Sequence, residues 1–212
     1  MEYQWIKNKR YKNVSIRIKE GQIIVTSPTQ TSKDFVDAFV QDHRQWIQKH
    51  LVAYDAIPRI HPGMTLFLLE RPYTVMEGNV CAIDSEEETI TINGNEKHWQ
   101  ALLKALAQKQ ITPRFRQWEQ AMGYTGLMVR YGYYASKWGS CRKDTGSIAI
   151  NTKLLFVDWE EVDSVLVHEL CHMKYPNHSQ AFYQEVLEWM PNYWKVHKHL
   201  IHRSIPIFEQ KG

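Results

Sequence analysis

Residues 168–172 read His-Glu-Leu-Cys-His, and His178 follows ten residues after the first histidine. Side chains four apart stand one above the other on a helix, about one turn along. Two imidazoles so placed can close on one zinc ion, with Glu169 beside the first reaching a water held there. His178 is near enough for a turn of chain to bring it back as a third ligand. Three protein ligands leave the fourth tetrahedral position to water, the arrangement of a catalytic rather than a structural zinc. Any fold this chain adopts must therefore present a rigid helix with a chain reversal directly after it.

Ten histidines in 212 residues make H-E-x-x-H alone a weak signal, so the flanking sequence has to agree with it. Asp158, with Glu161 three residues on, forms a capping-box pattern that starts a helix. Val162, Val165, Leu166 and Leu170 follow at helical spacing, giving an amphipathic helix under the motif. Pro176 cannot continue that helix and biases Tyr175 away from helical geometry. Asn177 with Gln180 repeats the capping pattern, which predicts a second helix opening at His178. The histidine spacing equals that of the metzincin pattern, but Tyr175 stands where those enzymes have glycine. No Met-turn follows, and Met190-Pro191 reads as a helix interruption. Metzincin membership is disfavoured.

The remaining pattern is mixed. Val14, Ile16 and Ile18 alternate with polar residues before Gly21 and Ile23-Ile24-Val25, a hairpin. Apolar residues from Phe35 to Leu51 recur at helical intervals, predicting one helix from Thr31 to about Val52. A second hairpin is expected over residues 65–69 and 73–75, turning at Glu70-Arg71-Pro72, with a further strand over 89–92. A helical pattern runs from about Glu96 to Met122, started or kinked at Pro113. Strands over 127–134 and 147–151 are joined through Lys137-Trp138-Gly139-Ser140-Cys141, where Gly139 marks a tight bend. The fold class expected is α+β: a β-rich N-terminal subdomain over 1–94 and a catalytic domain over 95–212.

Composition sets limits on function. At 43% hydrophobic the chain can bury a core. No stretch approaches the ~20 apolar residues that span a bilayer, so no membrane partner is expected. Cys81, Cys141 and Cys171 are odd in number and far apart, and no secretory leader is visible; a cytoplasmic location is expected. Lys7, Lys9, Arg10, Lys12, Arg17 and Lys19 form a basic segment. It could touch nucleic acid or a nucleotide, and is more simply the solvated face of the first hairpin.

Three stretches, Lys137-Trp138-Gly139-Ser140-Cys141, Ile148-Ala149-Ile150-Asn151 and residues 167–179, closely resemble the YgjP-like metallopeptidase family. Its members are described as predicted metal-dependent hydrolases, distantly related to SprT-like and WLM-type proteases. Asn13-Val14-Ser15-Ile16-Arg17-Ile18 and the glycine-turned strand after it extend the resemblance toward the N-terminus. The resemblance implies a compact gluzincin-like fold for the catalytic domain, His168, His172 and His178 as Zn²⁺ ligands, and Glu169 as catalytic base. It supplies no substrate.

Peptide hydrolysis is the expected chemistry: water activated by zinc and Glu169 attacks a peptide carbonyl, and Glu169 returns the proton to the leaving amine. Tyr175 is a candidate for oxyanion stabilisation and Asn177 for bracing a ligand histidine, unless both only shape the turn. Trp138, Ser140 and Asn151 are candidate pocket or supporting residues. Adjacent helix positions point about 100° apart, so Cys171 beside His172 reads as a small core residue rather than a ligand. Of His197, His199 and His202, only the last two could share a face for a second metal. One alternative is a nucleoside triphosphate pyrophosphatase using the same metal, although no glycine-rich phosphate loop or carboxylate cluster accompanies it. Another is a nucleic-acid-associated binding protein with a structural zinc, in which a glutamate beside the first ligand has no purpose.

Overall fold

Alternating apolar residues at 16, 18, 23 and 25 fold as the first hairpin. The computed structural model describes residues 1–208 as an α+β protein in two compact units that divide between Pro58 and Arg59. In the first unit β1 (Gln4–Lys7), β2 (Ser15–Lys19) and β3 (Gln22–Ser27) form a sheet in the order β1-β3-β2. The β2–β3 turn passes through Glu20 and Gly21 at φ 52° and 75°. β3 is central, which is why Ile23 through Ser27 are buried without alternation. Lys7, Lys9, Arg10, Lys12, Arg17 and Lys19 are all exposed.

The helix expected over 31–52 is two helices, α1 (Lys33–Asp42) and α2 (Arg44–Asp55). His43 breaks the run at φ −94° and ψ 9°. Its own Nδ1 lies 2.8 Å from the Phe39 carbonyl, so the side chain competes with the backbone for that acceptor. Val36, Val40 and Ile47 pack on Ile23 and Val25 as a separate core.

The second unit holds β4 (Arg59–Ile60), β5 (Thr65–Leu68), β6 (Arg71–Glu77), β7 (Ala82–Asp84), β8 (Thr89–Ile92), α3 (Glu96–Ala121), β9 (Met128–Gly132), β10 (Gly139–Arg142) and β11 (Ser147–Asn151). It continues with α4 (Trp159–Cys171), α5 (Gln180–Trp189), α6 (Tyr193–Ile201) and β12 (Ile207–Phe208). One sheet has the order β5-β6-β8-β7, a second β10-β11-β9, and β12 pairs with β4. The boundary expected at 94/95 falls inside this unit. Leu66, Val75 and Ile90 of the first sheet share one core with Leu103 and Ile111 of α3 and Leu166 of α4.

The β5–β6 turn is Leu69-Glu70, both left-handed at φ 48° and 68°, while Arg71 and Pro72 already lie in β6. The Leu69 amide donates to the Leu155 carbonyl at 2.7 Å, which anchors this uncommon non-glycine turn. α3 runs through Pro113 without interruption. Pro113 and Lys109 are exposed, so the carbonyl that loses its donor can be solvated. Gly139–Arg142, expected as part of a connection, is a strand antiparallel to β11. No helix among the described residues is long and apolar enough to cross a membrane.

Candidate metal centre

α4 begins at the Asp158–Glu161 capping box and is buried at nearly every position. Side chains of α3 and of the segment after α6 pin it. Arg114 Nε and Nη2 donate to the two oxygens of Asp163 at 2.7 and 2.5 Å, and Trp118 Nε1 donates to Oδ1 at 2.7 Å. Arg203 Nε donates to Glu161 at 2.9 Å. Bidentate, charge-assisted contacts of this kind fix orientation as well as position. His168 and Glu169 lie in the helix and His172 is its C-cap. The next amides fold back, Lys174 and Tyr175 both donating to the Cys171 carbonyl at 3.0 and 2.9 Å. Pro176 then redirects the chain. The cap of α5 is Ser179, whose Oγ accepts from the Phe182 amide, rather than Asn177. His178 therefore precedes the helix by two residues instead of opening it.

This path brings ligand atoms of His168, His172 and His178 within 4.8 Å of one another, the only such group of three among the described residues. His168 Nε2 lies 3.0 Å from His178 Nε2. His172 Nδ1 donates to the Tyr175 carbonyl at 3.0 Å, which turns its Nε2 to the same point. Phe182 of α5, fully buried, packs against all three rings at centroid distances of 4.9, 4.5 and 4.9 Å. Burial, with His172, His178 and His197 close by, pushes the His168 imidazole down to about 3. Burial lowers His172 as well. Neutral imidazoles with converging lone pairs are what a borderline divalent cation needs. Tetrahedral bonds of about 2.0–2.1 Å set nitrogens roughly 3.3 Å apart, close to the 3.0 Å found here.

Glu169 is 5% exposed, and its Oε2 is buried without a hydrogen-bond partner. Burial pushes its carboxyl up to about 8, with Lys137 pulling slightly the other way. An orphaned carboxylate oxygen costs free energy unless a cation or water meets it. The residues present thus fit a metal ion.

Gly139 packs against the carboxylate: a Cβ there would lie 2.5 Å from Glu169 Oε1 and 2.6 Å from Cγ. Glycine is required by Glu169 and not by the bend that the sequence suggested. Gly139→Ala is expected to displace the Glu169 carboxylate from its place beside the histidines, since the added methyl and the carboxylate cannot share that space. Metal content, measured by atomic emission, should be unchanged in the same protein.

The cleft in front, about 340 Å³, runs between residues 139–141 with Lys143 on one wall and the histidines with Glu169 on the other. Ser140 lines it and accepts from Lys137 Nζ at 2.8 Å. Trp138 lines a smaller cavity of about 170 Å³ on the far side of His168 and Glu169. Asn151 is a tether: its Nδ2 donates to the Tyr134 and Lys137 carbonyls at 2.8 and 2.6 Å, holding the segment that leads into β10. Tyr175 contributes its carbonyl to His172, while its ring packs in the cluster around Phe182. Asn177 is exposed, and its carbonyl accepts from the Ser179 amide. Cys171 is core, its thiol pushed up to about 12 by burial.

The YgjP-like metallopeptidase domain matches residues 12–203. The chain belongs to that family. Phe182, Tyr193 and His197 gather at the three histidines; no motif marks Phe182 or Tyr193, and the sequence set His197 apart only as one of three histidines weighed for a second metal. What ties them to the site in the sequence is a spacing of four, from His178 to Phe182 and from Tyr193 to His197. Among solved structures, the metallopeptidase zymogen of Pyrococcus abyssi abylysin is similar with a TM-score of 0.42 at 20% identity, over 47% of this chain and 100% of that one. That of Methanocaldococcus jannaschii jannalysin gives 0.40 at 17% identity, over 43% and 94%. No curated protein matches.

Proposed function

We propose that this YgjP-like protein is a zinc-dependent peptidase, with His168, His172 and His178 holding the metal and Glu169 acting as base. The observation that carries the reading is a buried, unpartnered carboxylate oxygen beside three converging imidazoles. Zinc, when bound, supplies a Lewis acid that lowers the pKa of a water and polarises a carbonyl. The Glu169 carboxylate, which lines the cleft with the three histidines, accepts the proton of the attacking water and returns it to the leaving amine.

The substrate reading rests on β10. It is the outer strand of its sheet among the described residues, paired with β11 on one side, and Glu169 packs over its face at Gly139. Unpaired amides and carbonyls on such an edge can hold an extended peptide in register. Ser140 and Cys141 would then lie under the backbone of the bound chain.

Zinc-loaded protein incubated with a peptide library is expected to yield defined cleavage products. Hydrolysis of nucleoside triphosphates with no peptide cleaved would overturn the substrate assignment. His178→Ala is expected to weaken zinc binding by more than about 100-fold, beyond what loss of a supporting contact does. Competition with a chromophoric chelator measures this, and parent-like affinity would remove His178 from the ligand set.

A further inference from the structure

We infer that Tyr193, with His197 behind it, is a positioning pair for His168, holding that ring in the tautomer and orientation that presents Nε2 to the metal. The inference rests on the reading that the three histidines bind a cation. Tyr193 and His197 lie four apart on α6 and so share one face. Tyr193 Oη is 2.9 Å from His168 Nδ1 and 3.4 Å from His197 Nδ1. The three rings are close to parallel, at 20° for each successive pair. Tyr193 is 2% exposed, and its ring sits in an apolar cluster with Phe182, Val186 and Val196.

The chemistry sets the direction of this chain of contacts. An imidazole offering Nε2 as a lone pair must carry its proton on Nδ1. His168 Nδ1–H then donates to the Tyr193 oxygen. A hydroxyl accepting on one side is free to donate on the other, and His197 Nδ1 is placed to receive it. If the tyrosine instead donated to His168, the lone pair would be spent behind the site and the proton would face His178. His172 has a backbone carbonyl as its rear partner, which can only accept. Tyr193 can do either, and His197 is what selects the accepting role. Such partners behind a ligand fix ring orientation and raise ligand basicity.

Tyr193→Phe keeps the ring in its cluster and removes only the oxygen. In the full-length protein, zinc affinity by chelator competition is expected to fall about 10–100-fold. The visible spectrum of the Co²⁺-loaded variant should shift, because the ligand field at His168 changes. The thermal midpoint of chelator-treated protein should stay near the parent. His197→Ala, at a half-buried position, should weaken zinc binding less, by roughly three- to tenfold.

Zinc affinity within about twofold of the parent and an unshifted cobalt spectrum in Tyr193→Phe would overturn the proposal. So would an affinity loss accompanied by an equally large fall in the chelator-treated midpoint with no spectral change, which would make the hydroxyl merely structural. If Tyr193→Phe does not fold, His197→Ala decides: unchanged affinity and spectrum there overturn the pair. A parent protein that binds no zinc would instead remove the metal reading on which this rests.

Discussion

Glu169→Gln is expected to lower peptide turnover about 10²–10⁴-fold, the usual cost of losing a general base, while zinc content stays at the parent level. The amide keeps the side-chain volume, so it fits the space against Gly139 that admits nothing larger than a hydrogen on that Cα. The same substitution should change how stability depends on pH. A carboxyl raised from 4.5 to about 8 keeps its proton in the folded chain where the unfolded chain has already lost it. That difference reduces stability progressively as pH climbs from about 4.5 to about 8. In chelator-treated protein the variant should therefore melt near the parent at the acid end and above it at the alkaline end. Calorimetry across that range measures the divergence. Parent-like turnover on a verified peptide would sink the role of Glu169 as base.

Phe182→Ala should produce the largest loss of stability, about 3–5 kcal/mol, as for other fully buried aromatic truncations. The ring touches all three imidazoles and lies in the cluster with Val167 and Val186. Removing it leaves His168, His172 and His178 without the surface that sets their mutual angles. Denaturant unfolding of chelator-treated protein gives the stability loss directly. Zinc affinity should fall as well, because the metal must then order rings that Phe182 held in place. A loss below about 1 kcal/mol would mean that the surrounding side chains close the gap, and that hydrogen bonds alone orient the histidines.

What could be seen beforehand was what lies close together in sequence. The capping box at Asp158 and Glu161, the apolar face from Val162 to Leu170 and the reversal at Pro176 are local, so spacing alone placed three histidines at one point. The hairpin at Gly21 was legible for the same reason. β10 was not: Gly139-Ser140-Cys141-Arg142 has no apolar alternation, because Gly139 and Ser140 line the cleft and only Cys141 also packs against the core. The single helix expected over 31–52 missed the His43 side chain as a rival for the Phe39 carbonyl. Ser179 took the cap from Asn177, a choice between neighbours that composition cannot make. Tyr193 and His197 come from a helix more than twenty residues downstream. Only packing of α6 on α4 tells that they stand behind His168.

The open edge of β10 carries a hazard along with its use. Any unpaired strand edge is a template on which another copy of the chain, or a partly unfolded one, can add itself and propagate. Most proteins bury such an edge or block it with proline, and neither remedy suits an edge proposed to admit a peptide backbone. The chain relies on brevity and charge. β10 is four residues long, with Lys137 just before it, Arg142 at its end and Lys143 after it. Four residues give a stacked intruder few ladder bonds, and the cations repel a second copy of the same edge. A flexible peptide can place its own side chains clear of them. Lengthening this strand or neutralising its flanks would trade solubility for grip.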